Sequence, residues 1–497
     1  MQTQCTQQTF EFQGLGRREV VARFDGGPIT SDAGGLLLRE VEQHTGIIRQ
    51  LAQCFTDHRD EELIEHSVEQ LLRQRIFGLA LGYEDLNDHD QLRHDPLLAT
   101  LVGKQDPTGR DRLRERDRGK ALAGRNTLNR LELTPRGANA DSRYKKIIAN
   151  QRQIESLFVD VFLQLHVTPP KRIVLDLDAT DDPVHGDQLG KFFHGYYKSY
   201  CYLPLYIFCG DHLLSAKLRP ADIDGAAGSV KQLARIVEHI RRKWSEVEIV
   251  IRADSGFCRE NIMAWCEANN VDYILGLAKN KRLQKILGKE LHEAKQQFEA
   301  TGEAARVFKD FTYQTRKSWS RSRRVIGKAE HLRKGANPRF VVTSLTAEQF
   351  DARALYEDEY CARGEMENRI KEQQLYLFAD RTSAHSMRAN QLRLWFSSVA
   401  YTLLQVIRQF GLQGTKATRA RCDTIRLKLL KIGASVPPGV RDPGVEISLR
   451  STKNSRRSRQ AETIAHRRLA PRIPSLYLKT HKNSATSKLT LRVTMSG

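Results

Sequence analysis

Apolar positions recur at helical spacing through Val68, Leu71, Leu72, Ile76 and Leu79, which predicts a helix with one buried face. Residues 1–170 read as a mostly helical region of this kind. From about 171 the apolar period shortens to that of strands. Ile173 to Asp178 predicts a short strand, Tyr202 to Cys209 a second and Leu213 to Leu218 a third, with Gly210-Asp211 as the turn between the last two. A stripe through Val230, Leu233, Ile236, Val237 and Ile240 predicts a helix able to cover a sheet. Glu248 to Asp254 then predicts a strand, Arg259 to Ala268 a helix, and Tyr273 to Ala278 a strand.

The order β-β-β-α-β-α-β is that of an α/β fold with a ribonuclease H-like core: three antiparallel strands, then crossovers that add parallel ones. Residues 281–355 are expected to interrupt it. They open with a charged helix and continue as a β-rich insertion, with strands around Val307 to Thr315 and Arg339 to Thr343. Helical spacing returns from Arg363, through Ile370, Leu375 and Phe378, then through Trp395, Val399, Leu403 and Val406. The expected organisation is a helical N-terminal region (1–170), the first part of the core (171–280), the insertion (281–355), a helical completion of the core (356–437) and a tail (438–497). Beyond Pro437 the periodicity fails, and Ser, Thr, Lys and Arg crowd the last residues. Such a segment cannot offset the entropy of ordering and is expected to be a basic, disordered tail, either an independent arm or the product of a shifted reading frame near Pro438.

Charge narrows the partners. Lys and Arg number 80 against 59 Asp and Glu, a formal net charge of +21. That excess attracts polyanions and releases their counterions on contact, so nucleic acid is the expected partner. Two segments concentrate it. One contains Arg110, Arg112, Arg114, Arg116 and, further on, Arg125; the other contains Arg316, Lys317, Arg321, Arg323 and Arg324 around Trp319. Either could grip phosphates, and the alternating signs of the first equally fit a solvated loop or helix. No apolar run reaches membrane-spanning length and the N-terminus lacks a signal-peptide core, so a cytoplasmic protein that binds no membrane is expected. The eight cysteines include no C-x-x-C pair and read as reduced thiols.

The candidate chemistry is carboxylate chemistry. Asp176 and Asp178 fall on one face of the first strand, opposite Leu175 and Leu177. Asp254 closes an apolar strand in Ile251-Arg-Ala-Asp-Ser-Gly-Phe257, at the carboxyl end where ligands gather in open α/β sheets. Arg363, Glu367 and Lys371 are spaced by four on one helix face. Converging carboxylates suit hard divalent cations, and a pair of them about 3.5–4 Å apart can drive phosphoryl transfer.

Four segments in order resemble the DDE transposases of bacterial insertion sequences, in the group with a β-stranded insertion before the last catalytic residue. They are Leu175-Asp-Leu-Asp-Ala-Thr-Asp181, Phe193-His-Gly-Tyr-Tyr197 running into Tyr-Leu-Pro-Leu-Tyr206, Ile251 to Phe257, and Tyr360-Cys-Ala-Arg-Gly-Glu-Met-Glu-Asn-Arg-Ile-Lys-Glu372. The resemblance covers roughly residues 28–437. It implies that Asp178, Asp254 and Glu367 are catalytic and hold two Mg²⁺ ions, with Mn²⁺ as a substitute and no small-molecule cofactor. Asp176, Tyr360 and Arg363 are possible additions. The family's Lys position holds Gln374 here, with Lys371 one turn earlier as a substitute. An aromatic in the inserted region would stack on a base extruded from the element end; Trp319 is the candidate, and a core tryptophan is the alternative. The implied reaction is cleavage at inverted repeats and joining of the freed 3′ ends to target DNA, with self-association on DNA. A nuclease on the same fold, or a degenerate copy acting as a DNA-binding repressor, are the competing readings.

Overall fold

The computed structural model describes residues 9–15, 18–23, 29–436, 446–450 and 488–492. It divides into two units: residues 1–148 with 399–497, and residues 149–398. Among the described residues no helix is long and apolar enough to cross a membrane, and the seven described cysteines are free.

The first unit is largely helical. Helix Val68–Leu81 begins at a capping box, in which Ser67 accepts from the Gln70 backbone and the Gln70 side chain returns the bond. It ends at Gly82 with φ of 96°, a left-handed turn that glycine adopts without strain. The buried carboxylate of Glu42 accepts from the backbone N–H of Ile48 (2.8 Å) and Arg49 (3.0 Å), satisfying the first turn of helix Ile47–Gln53. Gly34 and Gly35 are not a phosphate loop but a packing point. A Cβ on Gly34 would collide with the Leu429 carbonyl oxygen, and one on Gly35 with Leu101. Lys431 pairs with Asp32 at 2.7 Å in the same place. In the expected tail, Glu446–Arg450 and Lys488–Arg492 are paired antiparallel strands, and the rest of 438–497 lies outside the described residues apart from these.

The second unit is built on one sheet. Its strands are β1 (Arg172–Ala179), β2 (Leu205–Cys209), β3 (His212–Lys217), β4 (Glu248–Ala253), β5 (Asp272–Leu277), β6 (Ala305–Tyr313), β7 (Arg323–Leu332) and β8 (Arg339–Thr343). Their spatial order is β3-β2-β1-β4-β5-β8-β7-β6, with Gly335–Ala336 as a ninth strand on β7. Pairings β3/β2 and β2/β1 are antiparallel, and β1/β4 and β4/β5 are parallel. The first five strands therefore have ribonuclease H-like topology. Helix α1 (Gln151–Gln164) contributes Val159, Phe162 and Leu163 to the sheet's main core. Helices α2 (Ser229–Lys243) and α3 (Glu260–Ala268) contribute Leu233, Ile236, Val237 and Ile240, and Ile262, Met263 and Cys266. Because α1 buries its face here, the boundary between units falls near 148 rather than 170.

Helix α4 (Gly288–Thr301) and strands β6–β8 make up the insertion, and because β8 pairs antiparallel with β5 the inserted strands prolong the core sheet. Strand β7 was hidden in the sequence by the basic residues at its start.

Candidate active site

Strand alternation sets the site's position. On β1, Leu175 and Leu177 enter the main core; on β4, Ile249, Ile251 and Ala253 do the same. The intervening residues occupy the opposite face, which also buries Val250, Ile274, Leu355 and Tyr356 in a second core cluster. The parallel register sets Arg252 beside Asp176 and Ala253 beside Leu177, so Asp254 follows at the level of Asp178, where both strands end.

Asp176 and Asp178, two residues apart on one face, have different surroundings. Asp176 is 4% exposed and both its oxygens accept from Arg252, at 2.6 and 2.8 Å. Arg252 also donates to the Glu359 carbonyl, tying β4 to the segment that carries Tyr360. Burial pushes the Asp176 carboxyl above its ordinary range, with Arg252 opposing. Asp176 is thus engaged by a structural ion pair. Asp178 accepts only a backbone bond, from the Ala179 N–H at 2.9 Å. Burial, together with the negative charges of Asp254 and Glu367, pushes its carboxyl up to about 7, against the opposing charge of Arg363. Asp254 caps the turn Ser255–Phe257 by accepting from the Gly256 N–H at 2.8 Å.

The third carboxylate arrives from a distant part of the chain. Residues Leu355–Tyr360 run in wide π-type turns, Cys361–Arg363 tighten to a 3₁₀ turn, and α5 (Gly364–Leu377) follows. Such irregular turns are common at functional sites. Arg363 and Glu367, one α-turn apart, pair at 2.9 Å. Burial works against the Arg363 charge, yet Tyr360, Asp178, Glu367 and Asp254 together hold its pKa above the ordinary value. Arg363 thus feels Tyr360 and all three carboxylates. Tyr360 fits because β5 is bare at Gly276. A Cβ there would meet the Tyr360 Oη at 2.5 Å, the Ser255 nitrogen at 2.8 Å and the Asp254 carbonyl carbon at 3.1 Å.

Helix α5 is anchored on both sides. Arg369 pairs with Asp211 in the β2–β3 turn and with Glu372, each at 2.5 Å. Gln374 donates to the Asp181 carbonyl (3.0 Å) and to Asp182 (2.9 Å). Gln374 therefore binds the chain just beyond β1, while Lys371 is exposed to solvent. Arg252, Gly276 and Arg369 escaped the sequence reading. A lone arginine inside the apolar run Ile249 to Ala253 was the one available signal.

Among the described residues, no three His, Cys, Asp or Glu side chains stand ready as a metal cage. The donor chemistry nonetheless suits a hard divalent cation: carboxylate oxygens of Asp178, Asp254 and Glu367, close enough to raise the proton affinity of Asp178.

The basic segments divide. Arg112 is absorbed by Glu65 (2.7 and 3.2 Å) and the Lys120 carbonyl, and Arg125 by Asp90 and Asn87. Arg110, Arg114 and Arg116 are exposed on an irregular loop with a single 3₁₀ turn. In the insertion Arg323 binds Glu260 and Glu267, Arg324 binds Asp310, and Arg321 binds Glu267. Arg316 and Lys317 are exposed. Trp319 is 7% exposed, edge-to-face with Tyr313 at 5.8 Å and 5.5 Å from the Arg323 guanidinium, a core position.

A family profile described as transposase DDE domain group 1 matches residues 12–466. A cryo-EM structure of a piggyBac transposase synaptic complex with hairpin DNA is similar at 12% identity and a TM-score of 0.37, over 80% of this chain and 79% of that one. A search of curated proteins found no match to the sequence.

Proposed function

The chain belongs to the transposase DDE domain group 1 family, and from that membership we propose that it cleaves DNA at the inverted repeats of its own insertion sequence and joins the 3′ ends to target DNA. The observation that carries the reading is the meeting of Asp178, Asp254, Glu367 and Arg363 at the carboxyl ends of β1 and β4. We assign Asp178, Asp254 and Glu367 as the residues that hold two Mg²⁺ ions, with Mn²⁺ as a substitute. When bound, the ions activate the attacking oxygen and stabilise the leaving one.

The chain's own groups do the rest. Arg363 balances the crowded carboxylates in the ion-free protein. Arg363, which pairs with Glu367 at 2.9 Å, would be free to hold a DNA phosphate were Glu367 to hold a cation. Tyr360 buttresses Arg363 from above Gly276. Asp176, through Arg252, keeps β1, β4 and the Tyr360 segment in register. Arg110, Arg114, Arg116, Arg316 and Lys317, exposed as they are, contact double-stranded DNA, and the transposing form is a self-associated complex on the paired ends.

Nicking of a supercoiled donor plasmid carrying the element ends tests the assignment. Asp178→Asn, Asp254→Asn and Glu367→Gln should each slow cleavage by roughly 10²-fold or more in Mg²⁺ or Mn²⁺, with end binding retained. Cleavage by Asp178→Asn at the parental rate would remove that residue from the site.

A further inference from the structure

We propose that the hairpin spanning residues 192–202 is a stacking platform for unpaired bases of the DNA strand at the cleavage site, an inference that rests on the transposase reading. The hairpin pairs Phe192 with Cys201, Phe193 with Tyr200 and His194 with Ser199. Its tip, Gly195 to Lys198, closes with the Lys198 N–H on the His194 carbonyl at 2.8 Å. Phe192, Phe193, Tyr196 and Tyr200 are 41%, 57%, 83% and 55% exposed. Scattered apolar side chains on a surface need no explanation, but Phe193 and Tyr200 share one face of a short hairpin with Tyr196 at its tip, a group of rings that water solvates poorly, while Phe192 lies on the other face with Cys201.

The arrangement of the rings points to the occupant. Phe193 and Tyr200 face each other across the strands, with centroids 5.6 Å apart in edge-to-face geometry. The Lys191 ammonium lies 5.7 Å from the Tyr200 centroid and is already paired with Asp187 at 3.0 Å, whereas Lys198 stands exposed at the tip. Aromatic rings interleaved with cations complement a strand that offers flat bases and negative phosphates. A second copy of this chain, with a net charge of +21 of its own, is a poorer electrostatic match.

Placement supplies the link to catalysis. Tyr197, edge-to-face with Tyr196 at 5.0 Å, donates its hydroxyl to the Ala179 carbonyl at 3.3 Å. Ala179 follows Asp178 directly, so the hairpin is tethered to the residue next to the first carboxylate. Asp182–Pro183 pairs with the hairpin's second strand, Ser199–Tyr202, and fixes it a second time. Bases that lose their partners near the scissile phosphate would find exposed rings beside it.

Fluorescence of 2-aminopurine reads the stacking. The full-length chain is titrated with a duplex carrying a single-stranded flank in which one base is 2-aminopurine, and with the fully paired duplex. Tyr196→Ala and the double variant Phe193→Ala/Tyr200→Ala should bind the flanked DNA about 10-fold more weakly, leave binding of the paired duplex unchanged and abolish the quenching. Tyr196→Phe and Phe193→Tyr should keep both. Tyr196 lies at an exposed tip, so its removal spares the fold, and a melting scan checks the double variant. Equal loss on both DNAs, or quenching that survives the alanine variants, would overturn the platform. A shift of oligomeric state in sedimentation with quenching intact would assign the patch to contact between chains and overturn it likewise. Absence of metal-dependent nicking by the parental chain would instead sink the transposase reading, and the quenching still reports on the hairpin.

Discussion

Asp176 and Asp178 share a residue type, a strand and a face, and differ in what lies opposite. The register puts Arg252 beside Asp176, whose charge is consumed there. At Asp178 the neighbouring strand has ended and carboxylates gather instead. Removing one partner of a buried ion pair leaves the other uncompensated, which typically costs about 3–5 kcal/mol. Asp176→Asn should therefore lower stability by an amount of this order in urea titration and reduce cleavage only through that loss. Asp178→Asn should do the reverse, abolishing cleavage without destabilising the metal-free protein. Equal stability of the two variants would show that the Arg252 pair is not structural. The basic segment around Trp319 teaches the same lesson: three of its arginines are held by Glu260, Glu267 and Asp310 inside the unit.

Among elements, the docking of the Tyr360–Glu367 segment onto the sheet decides the site. It depends on a bare backbone at Gly276, where both a side-chain oxygen and main-chain atoms would meet an added Cβ. The Tyr360 ring could swing away, but the Ser255 and Asp254 backbone cannot without moving the second carboxylate. Gly276→Ala should thus reduce the nicking rate about 10-fold or more, since small misplacements of reacting groups are costly, while the melting temperature falls little. Parental activity in Gly276→Ala, with a crystal structure showing Tyr360 undisplaced, would refute this dependence. The insertion also acts through its strands: by pairing β8 to β5 it extends the sheet that supports Gly276.

At the scale of the whole molecule, buried histidines and buried carboxyls make stability depend on pH in opposite senses. In the first unit, burial pushes His66 down to about 2, aided by Lys104 and Arg112, and pushes His89 down to about 3, aided by Arg75. Both rings are neutral in the fold and take a proton on unfolding below the ordinary value near 6.5. Their contribution is complete above that pH and is lost as pH falls toward the folded values. In the second unit, burial with the charges of Asp380 and Asp181 pushes Asp182 up to about 8, against the Gln374 bond. That carboxyl is protonated in the fold, so its contribution is complete below about 3.8 and is lost as pH rises through about 8. Hydrogen exchange should accordingly show Val68–Leu81 losing protection as pH drops from ~7 to ~5, and the strands around Asp182 losing it as pH rises from ~6 to ~8.5, after correction for intrinsic rates. The second trend should weaken in Asp182→Asn, leaving the part due to Asp178; an undiminished trend there would place the effect elsewhere.

The sequence by itself determined the strands and helices of the core, because apolar periodicity reports which face of each element is buried. Order and connection length then left few topologies, and Asp176, Asp178 and Asp254 stood out as carboxylates on strands, while the preference for Asp178 and the choice of Glu367 came from the resemblance to DDE transposases. The tertiary structure decided what periodicity cannot encode. It decided that Asp176 is spent on Arg252, a matter of register between strands far apart in sequence. The burial of Trp319 and the pairing of Arg323 depend on partners brought in by α3, invisible from a run of basic letters. Gly276 acquires its role only when a segment from the far side of the insertion lands on it. Helix α1 joins the second unit because its apolar face is covered there, a choice between surfaces that its own pattern leaves open. Local pattern fixes what must be buried; only the assembled fold fixes against what.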